Sequence, residues 1–142
     1  MTDFDPIQSL IDNSQIYDHN VEVAASHVLR YWDAMNAVEK RFASESDPDL
    51  DTVIAAKTEV HEQFWMETED AYWKPCSHSS AEDFRIADIA DIIALSDFRS
   101  SFVVRVVVRQ DADRMGKSDI AYLLQTEDGN EEGPIRIVNR FN

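Results

Sequence analysis

Ser101-Phe102-Val103-Val104-Arg105-Val106-Val107-Val108-Arg109 is the stretch on which the fold turns. Phe102, Val104, Val106 and Val108 alternate with Val103, Arg105, Val107 and Arg109, the period of a β-strand rich in β-branched residues. The set without charge is expected to face a core. Downstream the pattern repeats. A polar loop, Asp111 to Ser118, contains Gly116, and after it Ile120, Tyr122 and Leu124 alternate in a second strand. Asp128-Gly129 marks a turn. A last strand from Ile135 to Phe141 places Ile135, Ile137 and Phe141 inward and Arg136, Val138 and Arg140 outward. Short connections between such strands predict an antiparallel meander. One face is apolar; the other bears Arg105, Arg109, Arg136 and Arg140 among Val103, Val107 and Val138.

Upstream, Ile86 to Leu95 fits two periods, and the strand reading, with Ile89, Ile93 and Leu95 alternating, is taken. Before it the spacing is helical. Asp5-Pro6 is an acidic cap followed by Pro at the first helical position, and Ile7, Leu10 and Ile11 supply a short stripe. From Asn20 to Ala43, Ala24, Val28, Tyr31, Trp32, Met35, Val38 and Phe42 recur at steps of three and four and share one face. Asp47-Pro48 repeats the cap signal. The stripe Leu50, Val53, Ile54, Val60, Phe64, Trp65, Ala71 and Tyr72 then predicts a second long helix over 48–73, stopped by Pro75. Ser77 to Asp83 reads as a loop with a helical turn capped by Ser80. Helices first and a meander after is an α+β order. A helix hairpin packed on a curved antiparallel sheet is expected, in a single domain over residues 1–142.

Charge is divided unevenly along the chain. Residues 1–98 carry 21 Asp and Glu against 6 Lys and Arg, and residues 99–142 carry seven of each, so the front part holds the whole net charge of −15. An acidic surface repels a phosphate backbone and an anionic membrane, which argues against both as partners and in favour of a basic protein. General solubility or salt tolerance explains the same acidity with no partner at all. The apolar fraction of 44%, with three Gly and four Pro, fits a globular chain rather than a disordered one. The lone Cys76 forms no internal disulfide, the first residues lack a signal-peptide pattern, and no apolar run approaches a membrane span. A cytoplasmic protein is expected.

No motif carries chemistry. His61-Glu62 opens like a zinc-protease signature, but Trp65 stands where the second His belongs. Asp47, Asp49 and Asp51 imitate a calcium loop, yet Thr52 replaces its Gly and Thr58 its bidentate Glu, so a helix cap explains them better. The three glycines, Gly116, Gly129 and Gly133, build no phosphate loop, and Cys76 with His78 matches no thiol signature. Neither metal nor cofactor is expected. His27 with Tyr31, and His61 with Trp65, sit one helical turn apart and would line a cavity between helix and sheet, where with an inward Asp they could move a proton beside a carbonyl. Core packing is the simpler reading of all four residues.

The order of elements resembles the nuclear transport factor 2-like (cystatin-like cone) fold over about residues 20–142. Within it, Tyr31-Trp32-Asp33-Ala34-Met35-Asn36-Ala37-Val38-Glu39-Lys40-Arg41-Phe42 is similar to the first helix of bacterial immunity proteins of that fold, in which an aromatic, a Met-Asn pair and a Glu recur. Asp119-Ile120-Ala121-Tyr122-Leu123-Leu124 and Ile135-Arg136-Ile137 are similar to the family's last hairpin, although Gly133-Pro134 stands where that family often has a Trp. The resemblance implies a non-enzymatic partner of a secreted toxin and carries over no site residue.

Two classes of function follow. The first is an acidic binding protein, of the immunity class, that neutralises a basic toxin domain through Glu67, Glu69 and Asp70 together with Asp47, Asp49 and Asp51, which flank the two ends of the second long helix. The second is a small metal-free isomerase, cyclase or dehydratase using His27, Tyr31 and His61. Either is compatible with a homodimer formed through the sheet face that carries Val103, Arg105, Val107 and Val138, whose valines otherwise form an exposed stripe.

Overall fold

The computed structural model describes residues 5–13, 19–66, 75, 82–98, 101–112, 119–127 and 134–141. Three helices, α1 (Pro6–Asn13), α2 (His19–Ala43) and α3 (Leu50–Phe64), precede a 3-10 turn at Ile86–Asp88 and four strands: β1 (Ile89–Phe98), β2 (Ser101–Val108), β3 (Ile120–Thr126) and β4 (Ile135–Phe141). The strands pair in chain order, each antiparallel to the next, in an open sheet. The fold is α+β, with the helices packed on the sheet.

α2 is the element that covers the sheet. Its stripe of Ala24, Val28, Tyr31, Trp32, Met35 and Phe42 is buried, and it meets the inner set of the meander, Phe102, Val104, Val106, Val108, Ile120, Tyr122, Leu124 and Ile137. A buried hydrogen bond from Trp32 Nε1 to Tyr122 Oη at 2.8 Å ties helix to strand and satisfies the one polar atom of the indole. α1 and α3 flank α2. The cap of α1 forms as the sequence predicts, Asp5 Oδ1 accepting from the backbone N–H groups of Ile7 at 3.0 Å and Gln8 at 3.3 Å.

Several expectations fail in instructive places. α3 begins at Leu50, with Asp49 rather than Asp47 at its cap position, and it stops at Phe64 instead of running to residue 73. Trp65 turns extended and forms a parallel bridge with Ile137, and Met66 N–H donates to the Ile137 carbonyl at 2.8 Å. Pairing with the free edge of β4 and burial of the Trp65 indole replace the next helical turn; residues 67–73 lie outside the described ones. The buried side of α3 is Val53, Lys57 and His61, while Leu50 is exposed.

The strands contain three phase changes, at Ala90 and Asp97 in β1 and at Val138 in β4, and the first and last of them decide which side chains reach each face. Ala90 is an extra residue between the pairs Ile89↔Val108 and Asp91↔Val107, so Ile89 and Ile92 are buried while Ile93 and Leu95 emerge on the outer face. Val138 is extra between Leu124↔Ile137 and Leu123↔Asn139, which moves Arg140 opposite Tyr122 on the inner face and Phe141 opposite Ala121 on the outer. Both inversions reverse the alternation expected from the sequence, because the side-chain period is two. The helical turn capped by Ser80, the turn at Asp128-Gly129, and Cys76 with His78 lie outside the described residues. The hairpin between β3 and β4 is closed by Glu127 N–H donating to the Pro134 carbonyl at 2.8 Å.

Candidate functional site

The loop 44–49 and α3 carry the acidic surface. Glu45, Asp47, Asp49, Asp51, Glu59 and Glu62 are all exposed, and none has an ion-pair partner among the described residues. The two basic side chains of that segment, Lys57 and His61, are turned inward and buried. Asp47, Asp49 and Asp51 thus stand together at the N-terminal end of α3, where the helix dipole favours negative charge. Asp49 accepts from Thr52 Oγ1 at 2.7 Å. Glu67, Glu69 and Asp70 lie outside the described residues.

Lys57 points at a buried polar cluster that no sequence motif marks. Glu39, on α2, accepts from the backbone N–H groups of Asp83 at 2.6 Å and Phe84 at 3.0 Å, and from Asn36 Nδ2 at 3.3 Å. Asn36 Nδ2 also reaches Glu82 Oε1 at 2.9 Å. One carboxylate and one amide therefore fasten the chain entering the 3-10 turn to the middle of α2. Burial raises the Glu39 pKa against the hydrogen bonds it receives and the Lys57 charge, and burial lowers the Lys57 pKa against the charges of Glu39 and Asp83. Asn36 and Glu39 are the Met-Asn-pair and Glu positions of the helical segment 31–42. The signal that could have revealed the cluster is a Glu, one turn after an Asn, on the apolar side of an amphipathic helix.

The three residues of the proton-transfer reading fall in different environments. His27 Nε2–H donates to the Phe64 carbonyl at 2.9 Å, and its ring borders an open cleft of about 370 Å³ that Gln8, Glu22, Ser26, Arg30 and Ile135 also line. Burial holds the His27 pKa below its ordinary 6.5, the Arg136 charge adding to the effect and the hydrogen bond opposing it. Tyr31 is 0% exposed, packed edge-on against Trp65, Phe84 and Tyr122 and tilted against Phe64. Burial pushes its phenol well above the usual range. His61 is buried and stacked on Trp65 at 4.5 Å between ring centroids. Aromatic rings fill the space between α2 and the sheet, and only His27 of the three reaches the cleft. Among the described residues, no three His, Cys, Asp or Glu side chains come together as a metal site, and no helix is long and apolar enough to cross a membrane.

The outer sheet face assembles Val103, Arg105 and Val107 with residues that the bulges deliver to it. Register places Leu95, Val103, Leu123 and Asn139 in one row and Ile93, Arg105, Ala121 and Phe141 in the next. Its arginines are paired within the chain. Arg105 meets Asp119 at 2.6 Å and Arg109 meets Asp111 at 2.9 Å, while Arg136 bonds Glu127 at 2.9 Å and the Gln63 carbonyl at the C-terminal end of α3. Asp119 also accepts from Val108 N–H at 3.1 Å, and the Arg105 guanidinium followed by that N–H holds its carboxyl below the usual range.

Comparison with known proteins returns no match among family models, curated proteins or solved structures.

Proposed function

We propose that this protein is a non-enzymatic acidic binding protein, of the immunity class of the nuclear transport factor 2-like fold, that neutralises a basic toxin domain. The observation that carries the reading is the sign of the exposed charge between residues 44 and 64, which is negative throughout because Lys57 and His61 face inward. Loop and helix together form a surface whose field attracts a cation and speeds its capture. The burial of Tyr31 among Phe64, Trp65, Phe84 and Tyr122 and the stacking of buried His61 on Trp65 support binding over catalysis. Element order, and the placement of Asn36 and Glu39 on the buried side of α2, support the family reading.

The test is a rate. A basic protein domain is the partner to try, sought first among the products of neighbouring genes, and its association with the full chain should slow steeply as salt rises. Asp47→Asn, Asp49→Asn and Asp51→Asn combined should lower the association rate about tenfold at low salt, with dissociation nearly unchanged. The same replacement at Glu67, Glu69 and Asp70 measures the other end of the proposed surface. An association rate that ignores both salt and these substitutions refutes the electrostatic reading.

A further inference from the structure

Five large apolar side chains are exposed among the described residues, and three of them, Ile93 at 42%, Leu95 at 62% and Phe141 at 52%, lie on the outer face of the sheet. They flank partly buried Val103, Val107, Leu123 and Ala121, so that two adjacent rows across all four strands are apolar except for Arg105 and Asn139. Four strands about 4.8 Å apart and about seven residues long at about 3.3 Å each give a face on the order of 450 Å² in projection. The two largely apolar rows make up about half of that face, and burying the whole face on two copies gives on the order of 900 Å², the size of a weak, transient interface.

We infer that this face is where a second copy of the chain docks, sheet against sheet, in a weak two-fold dimer. Charge selects this occupant. The face's own arginines Arg105 and Arg109 are neutralised by Asp119 and Asp111 of the same chain, so a charged partner gains little there. Two copies of a molecule with net charge −15 repel each other wherever the acidic helices meet, and they approach at least cost through a face whose arginines are paired within the chain and whose further exposed carboxylate, Asp91, lies at the β1 edge. Joining at the β1 edge instead is opposed by two features of that edge: the bulge at Ala90, and the Asp91 carboxylate, whose Oδ1 accepts the Ile92 N–H at 2.8 Å. Sheet packing at about 10 Å then buries Leu95, Ile93 and Phe141 against their symmetry mates.

The inference stands independently of the basic partner proposed above, and salt separates the two. Screening weakens capture of a cation but relieves repulsion between two anions, so raising salt should tighten self-association. Sedimentation of the full chain across a micromolar concentration series should show a monomer–dimer equilibrium with this salt dependence. Leu95→Glu and Phe141→Glu should each raise its dissociation constant at least about tenfold, as loss of a central apolar contact does. Leu50→Glu, which changes an equally exposed residue on α3, should leave the equilibrium where it was. Circular dichroism melts establish that each variant is folded, as substitution of exposed side chains predicts. A wild type that stays monomeric at high micromolar concentration and high salt overturns the inference. So does a dimer that survives both sheet substitutions, or one that Leu50→Glu dissolves equally.

Discussion

Val104 and Val107 lie three residues apart on β2, on opposite faces of the sheet. The first has no exposed surface and lies in the core that α2 covers; the second is half-buried beside Asp91 and belongs to the uncovered face. The two faces of β2 share a valine-rich composition and differ in what lies above them. Composition therefore marks a residue as able to be buried, and a neighbouring element decides whether it is. On the inner side that element is a 25-residue helix with aromatics at the contact. On the outer side no described element lies above Leu95, Ile93 and Phe141, which stay exposed.

The sharpest way to break the contrast is at its inner centre. Trp32→Ala should cost about 3–5 kcal/mol, because it opens a cavity and leaves the Tyr122 hydroxyl without its buried donor, and urea unfolding should read this directly. Glu39→Gln should cost about 1–3 kcal/mol. The amide has a single oxygen for the N–H groups of Asp83 and Phe84, and buried Lys57 loses the larger of the two carboxylate charges, Glu39 and Asp83, that support its own. Amide exchange should accelerate at Asp83 and Phe84 before it does in β2 and β3.

One substitution made on both faces sharpens the comparison most economically. Val104→Thr places a hydroxyl in the apolar core and should cost about 1–2 kcal/mol, whereas Val107→Thr should stay within about 0.5 kcal/mol in the monomer. Equal effects on thermal midpoint would mean that both faces are covered in solution.

The smallest effect concerns pH. The folded His27 pKa lies below 6.5, so as pH falls from about 6.5 the unfolded chain binds its proton first, and stability is lost through that window. Glu39 acts in the opposite sense. Its folded pKa is raised above 4.5, so the folded chain takes up that proton first, and its contribution grows as pH falls toward 4.5. His27→Gln should therefore flatten the acid-side loss by a few tenths of a kcal/mol, read as a smaller change in urea midpoint between about pH 7 and pH 5.5. If wild type and variant lose stability in parallel, the loss belongs to other groups.

Much of this architecture is legible in the amino-acid sequence alone. The alternation of residues 101–109 places a strand and chooses its inner face, the three- and four-residue spacing from Ala24 to Phe42 describes the helix that covers it, and the division of charge at residue 98 separates an acidic part from a balanced one. These are local properties, since the period of a strand or helix and the count of its charges need no knowledge of distant residues. Other features depend on contacts far along the chain. Trp65 leaves its helix because an edge strand 72 residues later offers a pairing, and Glu39 becomes a buried anchor because the N–H groups 44 and 45 residues away turn toward it. Ala90, Asp97 and Val138 each invert the side chains that follow them within their strand, since one unpaired residue in a period of two exchanges the faces, and no alternation rule reveals which residue the partner strand will skip. Periodicity declares which residues can be hidden; pairing and packing between distant segments decide which ones are.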